Sequence, residues 1–98
     1  MFYIYVLQSL LNKKLYIGYT VNLKTRLIKH NKGLSEYTNK YKPWKLIYYE
    51  ACLNKNDSIR RERYLKSSQG QRLLKIRLKD YLYNDNMLPK LIRKSSTG

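Results

Sequence analysis

Phe2-Tyr3-Ile4-Tyr5-Val6-Leu7, and then Leu15-Tyr16-Ile17-Gly18-Tyr19-Thr20, are the stretches that decide the fold. Both are rich in aromatic and β-branched residues and alternate with a period of two, the pattern of a half-buried strand. In the first strand, over 2–9, one face carries Tyr3, Tyr5 and Leu7, and the other Phe2, Ile4 and Val6. In the second, over 15–20, Tyr16, Gly18 and Thr20 share a face opposite Leu15, Ile17 and Tyr19. Asn12-Lys13-Lys14 supplies a turn, and so short a connection implies an antiparallel hairpin. Closing that hairpin near residues 11–13 places Tyr5 and Tyr16 close to opposite each other.

Outward from the hairpin, Asn22 is a natural helix N-cap. The spacing predicts a helix over about 23–32, with Leu23, Leu27 and Ile28 as its buried stripe and Gly33 as its stop. Residues 33–43 are polar and tyrosine-bearing and read as an ordered loop. Residues 44–52 are apolar on both alternations, which predicts a third strand covered on both faces. A second helix is expected over about 57–66, capped by Asn54, Asn56 or Asp57, with an interruption at Ser67-Ser68-Gln69-Gly70. A third follows over about 71–83, with Leu74, Leu78, Tyr81 and Leu82 on one side. The order ββαβαα gives a small α+β domain over 1–83, a mostly antiparallel three-stranded sheet flanked by helices. Residues 84–98 form a tail.

With 21 Lys and Arg against 6 Asp and Glu, the chain carries a net charge of +15 and attracts polyanions at long range. Tyrosines are interleaved with the basic residues throughout, which favours nucleic acid over an anionic membrane surface as the partner. A single cysteine, Cys52, excludes an intrachain disulfide and a Cys-rich zinc site. No apolar run approaches the ~20 residues needed to span a membrane, and no signal-peptide pattern opens the chain. The expectation is a cytoplasmic protein.

Several residues invite chemistry. Tyr5 and Tyr16 converge on one sheet face, where two phenols can hold a phosphate or a water. A free phenol, with a pKa of about 10, becomes a base only where a nearby cation lowers it. Without such a cation the pair is hairpin packing. Gly18, in mid-strand on the same face, signals a bulge or room for a close approach. Arg26 and His30 stand at i and i+4 on one helix face, beside Leu23 and Leu27. Arginine there can clamp a phosphate, and histidine can hydrogen-bond, move a proton or bind a metal; the plainer alternative is an exposed helix edge. Glu62 lies between Ile59 and Leu65 at three-residue steps and so points inward. A covered carboxylate needs a partner. The arginines beside Glu62 in sequence point elsewhere around the helix, which leaves Arg26 or a bound cation. One carboxylate with waters and substrate oxygen is a habitual magnesium site.

The ordered set Tyr3-Ile4-Tyr5, Tyr16-Ile17-Gly18, Arg26, His30 and Glu62 resembles the GIY-YIG nuclease family over about residues 1–80, most closely its small members that are little more than the catalytic module. The first tripeptide departs by starting with Tyr3 instead of glycine. The resemblance implies metal-dependent hydrolysis of phosphodiester bonds in DNA, with one divalent ion, Mg²⁺ or Mn²⁺, on Glu62. It makes Tyr5 or Tyr16 the general base or part of it. Arg26 would stabilise phosphate charge, and His30 would assist proton transfer. Gly18 would allow close packing at the site. Many members borrow DNA specificity from a fused domain, and this chain has no room for one. Low sequence preference, selection of DNA by structure as in repair or recombination, or reliance on a protein partner is therefore expected. Lys40, Lys42, Lys45, Arg60, Arg61 and Lys66 would follow the DNA backbone, and Tyr37, Tyr41 and Trp44 would stack on unpaired bases. The rivals are a non-catalytic nucleic-acid-binding module and an accessory protein of a repair assembly. The sign of the last would be an apolar patch around Leu88, Leu91 and Ile92.

Overall fold

β1 (Phe2–Ser9) lies between β2 (Leu15–Thr20) and β3 (Trp44–Cys52) and pairs antiparallel with both, giving the sheet order β2-β1-β3. As the central strand it is covered on both faces, which is why Ile4 to Ser9 is buried without interruption. The computed structural model describes residues 1–84, so the tail and its predicted patch at Leu88, Leu91 and Ile92 lie outside the described residues.

The expected α+β architecture holds. On one sheet face Ile4, Val6 and Ile17 meet Leu65 of α3 (Lys55–Lys66) and Leu74 of α4 (Ser68–Arg77). On the other, Tyr5, Leu7 and Trp44 meet Leu23 and Leu27 of α1 (Leu23–Asn31). Each face therefore buries an alternate set of β1 side chains, as the period of two requires.

Asn22 caps α1 by accepting from the Thr25 N–H at 3.0 Å, and Gly33 ends the turn beyond it at φ +79°. The buried stripe of α1 differs from expectation. Ile28 is 45% exposed, and His30 takes the buried place. Leu23, Leu27 and His30 are spaced i, i+4, i+7 and stack along one face, whereas Ile28 is turned about 100° further round. The end of α1 is tied to the sheet by Asn31. Its side chain accepts from the Trp44 N–H at 2.6 Å and donates to the Trp44 carbonyl at 3.1 Å.

Three further expectations change. The loop over 33–43 contains a short helix, α2 (Glu36–Asn39). β3 is an edge strand and is not covered on both faces: Trp44 alone is fully buried and Tyr49 is 53% exposed. The third helix is two, α4 and α5 (Lys79–Asn84), and the break before it is one residue, not four. Ser67 ends α3 and caps α4 by accepting from the Gly70 N–H at 3.2 Å. A Cβ at Gly70 would strike the Tyr64 carbonyl and the Leu65 Cα, so glycine there lets the two helices meet.

Candidate active site

The β1–β2 register puts Tyr5 opposite Gly18 and Tyr16 opposite Leu7. The two phenols are therefore diagonal neighbours, with ring centroids 6.3 Å apart, instead of facing each other directly. The ladder passes Gly18 without a bulge. A Cβ there would fall on the ring and oxygen of Tyr5, so the room left by Gly18 is filled by the Tyr5 phenol and not by open space. The bulge in the sheet lies elsewhere, at Val6/Leu7 in the pairing with β3.

α1 brings Arg26 and His30 onto the same phenol. His30 Nε2 lies 2.8 Å from the Tyr5 oxygen, and Arg26 Nε donates to that oxygen at 3.2 Å. The other ring nitrogen, Nδ1, lies 2.8 Å from the Thr38 hydroxyl on α2. Tyr16 packs edge-on against His30 at 5.1 Å, Tyr37 stacks on Tyr16 at 6.1 Å, and Tyr41 leans on Tyr37 at 5.5 Å. Tyr5, Tyr16, Arg26 and His30 thus form one cluster, in which Tyr5 and His30 are fully buried and Arg26 is half-buried. A cleft of about 170 Å³, lined by Thr20, Val21, Asn22, Thr25, Arg26 and Lys29, opens beside it.

Burial sets the charge states. It lowers the His30 pKa from 6.5 to about 4, aided by the positive charge of Arg26, so the imidazole is neutral at physiological pH. Burial also raises the Tyr5 pKa, and the hydrogen bond from Arg26 does not outweigh it. The charges of Tyr16 and Glu62 act in the same direction as burial. The expected lowering takes arginine and a metal ion together; beside Arg26 alone the residue rests as a protonated phenol.

Glu62 stands on the covered side of α3, its side chain 19% exposed, close enough for its charge to act on Tyr5. Its ion-pair partner is Lys66 at 3.2 Å, one turn along α3, and not Arg26. Arg26 is held instead by the phenols, with Tyr5 the main influence on it and Tyr16 a lesser one. Of the other basic residues singled out, Lys40 and Lys42 are exposed in the segment of Tyr37 and Tyr41. Lys45 lies over the Tyr81 ring at 5.2 Å, opposite Gln8 on the far sheet face. Arg60 pairs with Asp57 at 2.6 Å, and Arg61 grips Glu50 with two bonds, at 2.9 and 3.0 Å. Trp44 is buried, its indole N–H donating to the Thr38 carbonyl at 2.8 Å, so it offers no stacking face. The cluster also contains Thr38, which no spacing rule ties to His30, and the cleft includes Lys29, one turn from Arg26.

The three-stranded sheet with its flanking helices has the architecture of a small nuclease-family domain. Residues 1–83 match the GIY-YIG catalytic domain, and the chain belongs to the GIY-YIG family, a family of nucleases. The "UPF0213 protein in ldhD 5'region" of Pediococcus acidilactici is 39% identical over 90 residues, covering 89% of this chain and 86% of that protein. A UPF0213 protein of Pediococcus pentosaceus is 44% identical over 66 residues, 66% of this chain and 68% of its own length. One from Staphylococcus haemolyticus is 36% identical over 75 residues, 76% and 90%. No solved structure matches. Among the described residues, no helix is long and apolar enough to cross a membrane.

Proposed function

We propose that this protein is a divalent-metal-dependent endonuclease that hydrolyses phosphodiester bonds in DNA with little sequence preference. Branched or nicked DNA, as in repair and recombination, would be its substrate, met in the cytoplasm. The observation that carries the reading is the Tyr5 oxygen, buried between an arginine donor and a neutral imidazole. Packing alone does not require that arrangement.

Arg26, with Lys29 beside it, would bind the scissile phosphate in the cleft and offset the charge that grows on its oxygens. The attacking water would give a proton to the Tyr5 oxygen as the phenol passes its own to His30 Nε2. The water oxygen forms the new bond to phosphorus, the bond to the leaving oxygen breaks, and that oxygen is protonated from solvent. Tyr16 would present a second hydroxyl to the phosphate while its ring holds His30 in place.

The donor set at Glu62 suits a hard cation. No group of three His, Cys, Asp or Glu able to hold a metal exists among the described residues, which speaks against a closed protein cage. One carboxylate that leaves most positions to water and phosphate is how magnesium is commonly held. Glu62 would hold the ion, and Lys66, 54% exposed, can turn away into solvent. Bound there, a divalent ion would neutralise phosphate charge and stabilise the leaving oxygen.

The same Glu62–Lys66 pair favours a second reading, a nucleic-acid-binding module without turnover. Incubating the protein with branched, nicked and linear DNA, with Mg²⁺, Mn²⁺ or chelator, separates the two. The enzyme reading expects metal-dependent cutting that Glu62→Ala abolishes. Tight binding with no cutting on any substrate supports the module instead.

A further inference from the structure

A phenol that passes its proton to His30 needs Nε2 bare. A neutral imidazole can carry its proton on either nitrogen. We infer that Thr38 is the positioning residue that supports the required form: Arg26 and Tyr5 make Nε2 an acceptor, and the Thr38 hydroxyl accepts from Nδ1–H and keeps the bare Nε2 turned toward Tyr5. The catalytic consequence rests on the nuclease reading, whereas the position of the proton rests on hydrogen-bond geometry alone.

Arg26 has only donors to offer. Its Nε–H goes to the Tyr5 oxygen, so the phenol hydrogen needs an acceptor elsewhere. His30 Nε2, at 2.8 Å, is the only one among the described residues. With Nε2 accepting, the ring proton stands on Nδ1 and goes to the Thr38 oxygen at 2.8 Å. The Thr38 hydrogen then turns to the Ser35 carbonyl at 3.4 Å. Each polar hydrogen of Tyr5, His30 and Thr38 then has an acceptor, and among the described residues no buried side-chain polar atom lacks a hydrogen-bond partner. In the opposite tautomer two N–H groups aim at one phenol oxygen and the Tyr5 hydrogen is stranded in a buried site, which is unfavourable.

Thr38 is suited to this work by how it is held. α2 has four residues and no side-chain cap. It is pinned from outside by the Trp44 indole, which donates to the Thr38 carbonyl. The backbone of Thr38 is thus fixed by β3 while its hydroxyl, fully buried, meets the imidazole. The role is specific to a hydroxyl, because valine would fill the same volume without accepting a hydrogen bond.

His30 is the only histidine, so long-range ¹⁵N–¹H NMR reads its ring nitrogens without ambiguity. Near neutral pH, in the absence of DNA, the parent protein is expected to show a protonated Nδ1 and a bare Nε2. Thr38→Val is expected to move the ring to the Nε2–H form or a mixture and to lower the kcat of DNA cleavage about 10- to 100-fold. DNA affinity should be unchanged, and Thr38→Ser should restore both tautomer and rate. An Nε2–H ring in the parent, or a Thr38→Val ring identical to the parent's, overturns the inference. If Thr38→Val does not fold, the parent and Thr38→Ser spectra decide. Failure of the protein to cut any DNA counts against the nuclease reading, and the tautomer remains a separate test.

Discussion

Burying His30 makes the fold sensitive to mild acid. In the unfolded chain a histidine titrates near 6.5, whereas here the ring resists protonation down to about 4. Between those values the unfolded state binds the extra proton, so stability is fully present above 6.5 and is lost as pH falls toward 4. The gap corresponds to roughly 3–4 kcal/mol. Urea unfolding at a series of pH values should show that loss in the parent and not in His30→Gln. Glu50 adds sensitivity only at lower pH. Burial works to raise its pKa, but the hydrogen bonds from Arg61 and Tyr48 outweigh it, so its contribution disappears as pH falls below the usual carboxylate value. Gly18→Ala tests a different point, since the new methyl would occupy the space of the Tyr5 ring. A destabilisation of about 1–3 kcal/mol is expected from such overpacking, read by thermal or urea unfolding, with cleavage lost alongside. A variant as stable and as active as the parent would show that Tyr5 does not need the space. Tyr5, Tyr16, Arg26 and His30 are legible in sequence because strand alternation and i, i+4 spacing are periodic. Thr38 is not, because its bond to His30 depends on how an irregular segment returns to the sheet.

Glu50 and Arg61 join β3 to α3, and the join sets the rotation of the helix that carries Glu62 one residue further on. The Arg61 fork meets both Glu50 oxygens, while the Tyr48 hydroxyl donates to one of them at 2.8 Å. Paired geometry of this kind is beyond a lysine, which has no fork. The pair is only partly shielded, at 35% and 23% exposed, so Arg61→Lys should cost roughly 1 kcal/mol. The Arg60–Asp57 pair is 74% and 60% exposed, and Arg60→Lys should cost under about 0.5 kcal/mol. Urea denaturation of both variants makes the comparison, and equal costs would mean that the join does no more than a surface pair. Strand and helix positions are largely legible from alternation and caps: β1, β2 and α1 fall within a residue or two of expectation. The errors cluster where long-range packing decides. The exposure of Tyr49 depends on β3 being an edge, and the break at Leu78 between α4 and α5 has no proline or glycine to announce it.

The charge of the whole molecule is large, but the fold divides it into cations that are engaged and cations that are free for a polyanion. Arg60, Arg61 and Lys66 face carboxylates, and Lys45 lies against an aromatic ring on the sheet face away from Tyr5. Lys40 and Lys42 are exposed beside the Tyr37–Tyr41 stack, and Lys29 lines the cleft with Arg26. A duplex bound across the site should therefore release counterions chiefly through this second group. Each phosphate contact contributes about 0.9 to the slope of log affinity against log salt. Lys40→Gln with Lys42→Gln should reduce that slope by about 2, whereas Lys45→Gln with Arg60→Gln should leave it nearly unchanged. Both double variants remove two positive charges, so net charge is held constant and only position differs. Fluorescence anisotropy with labelled duplex over a salt series, in chelator to prevent cutting, measures both slopes. Equal reductions would mean that the +15 chain binds DNA as a diffuse polycation, and the face around Tyr5 and Arg26 would lose its claim to be where the substrate lies.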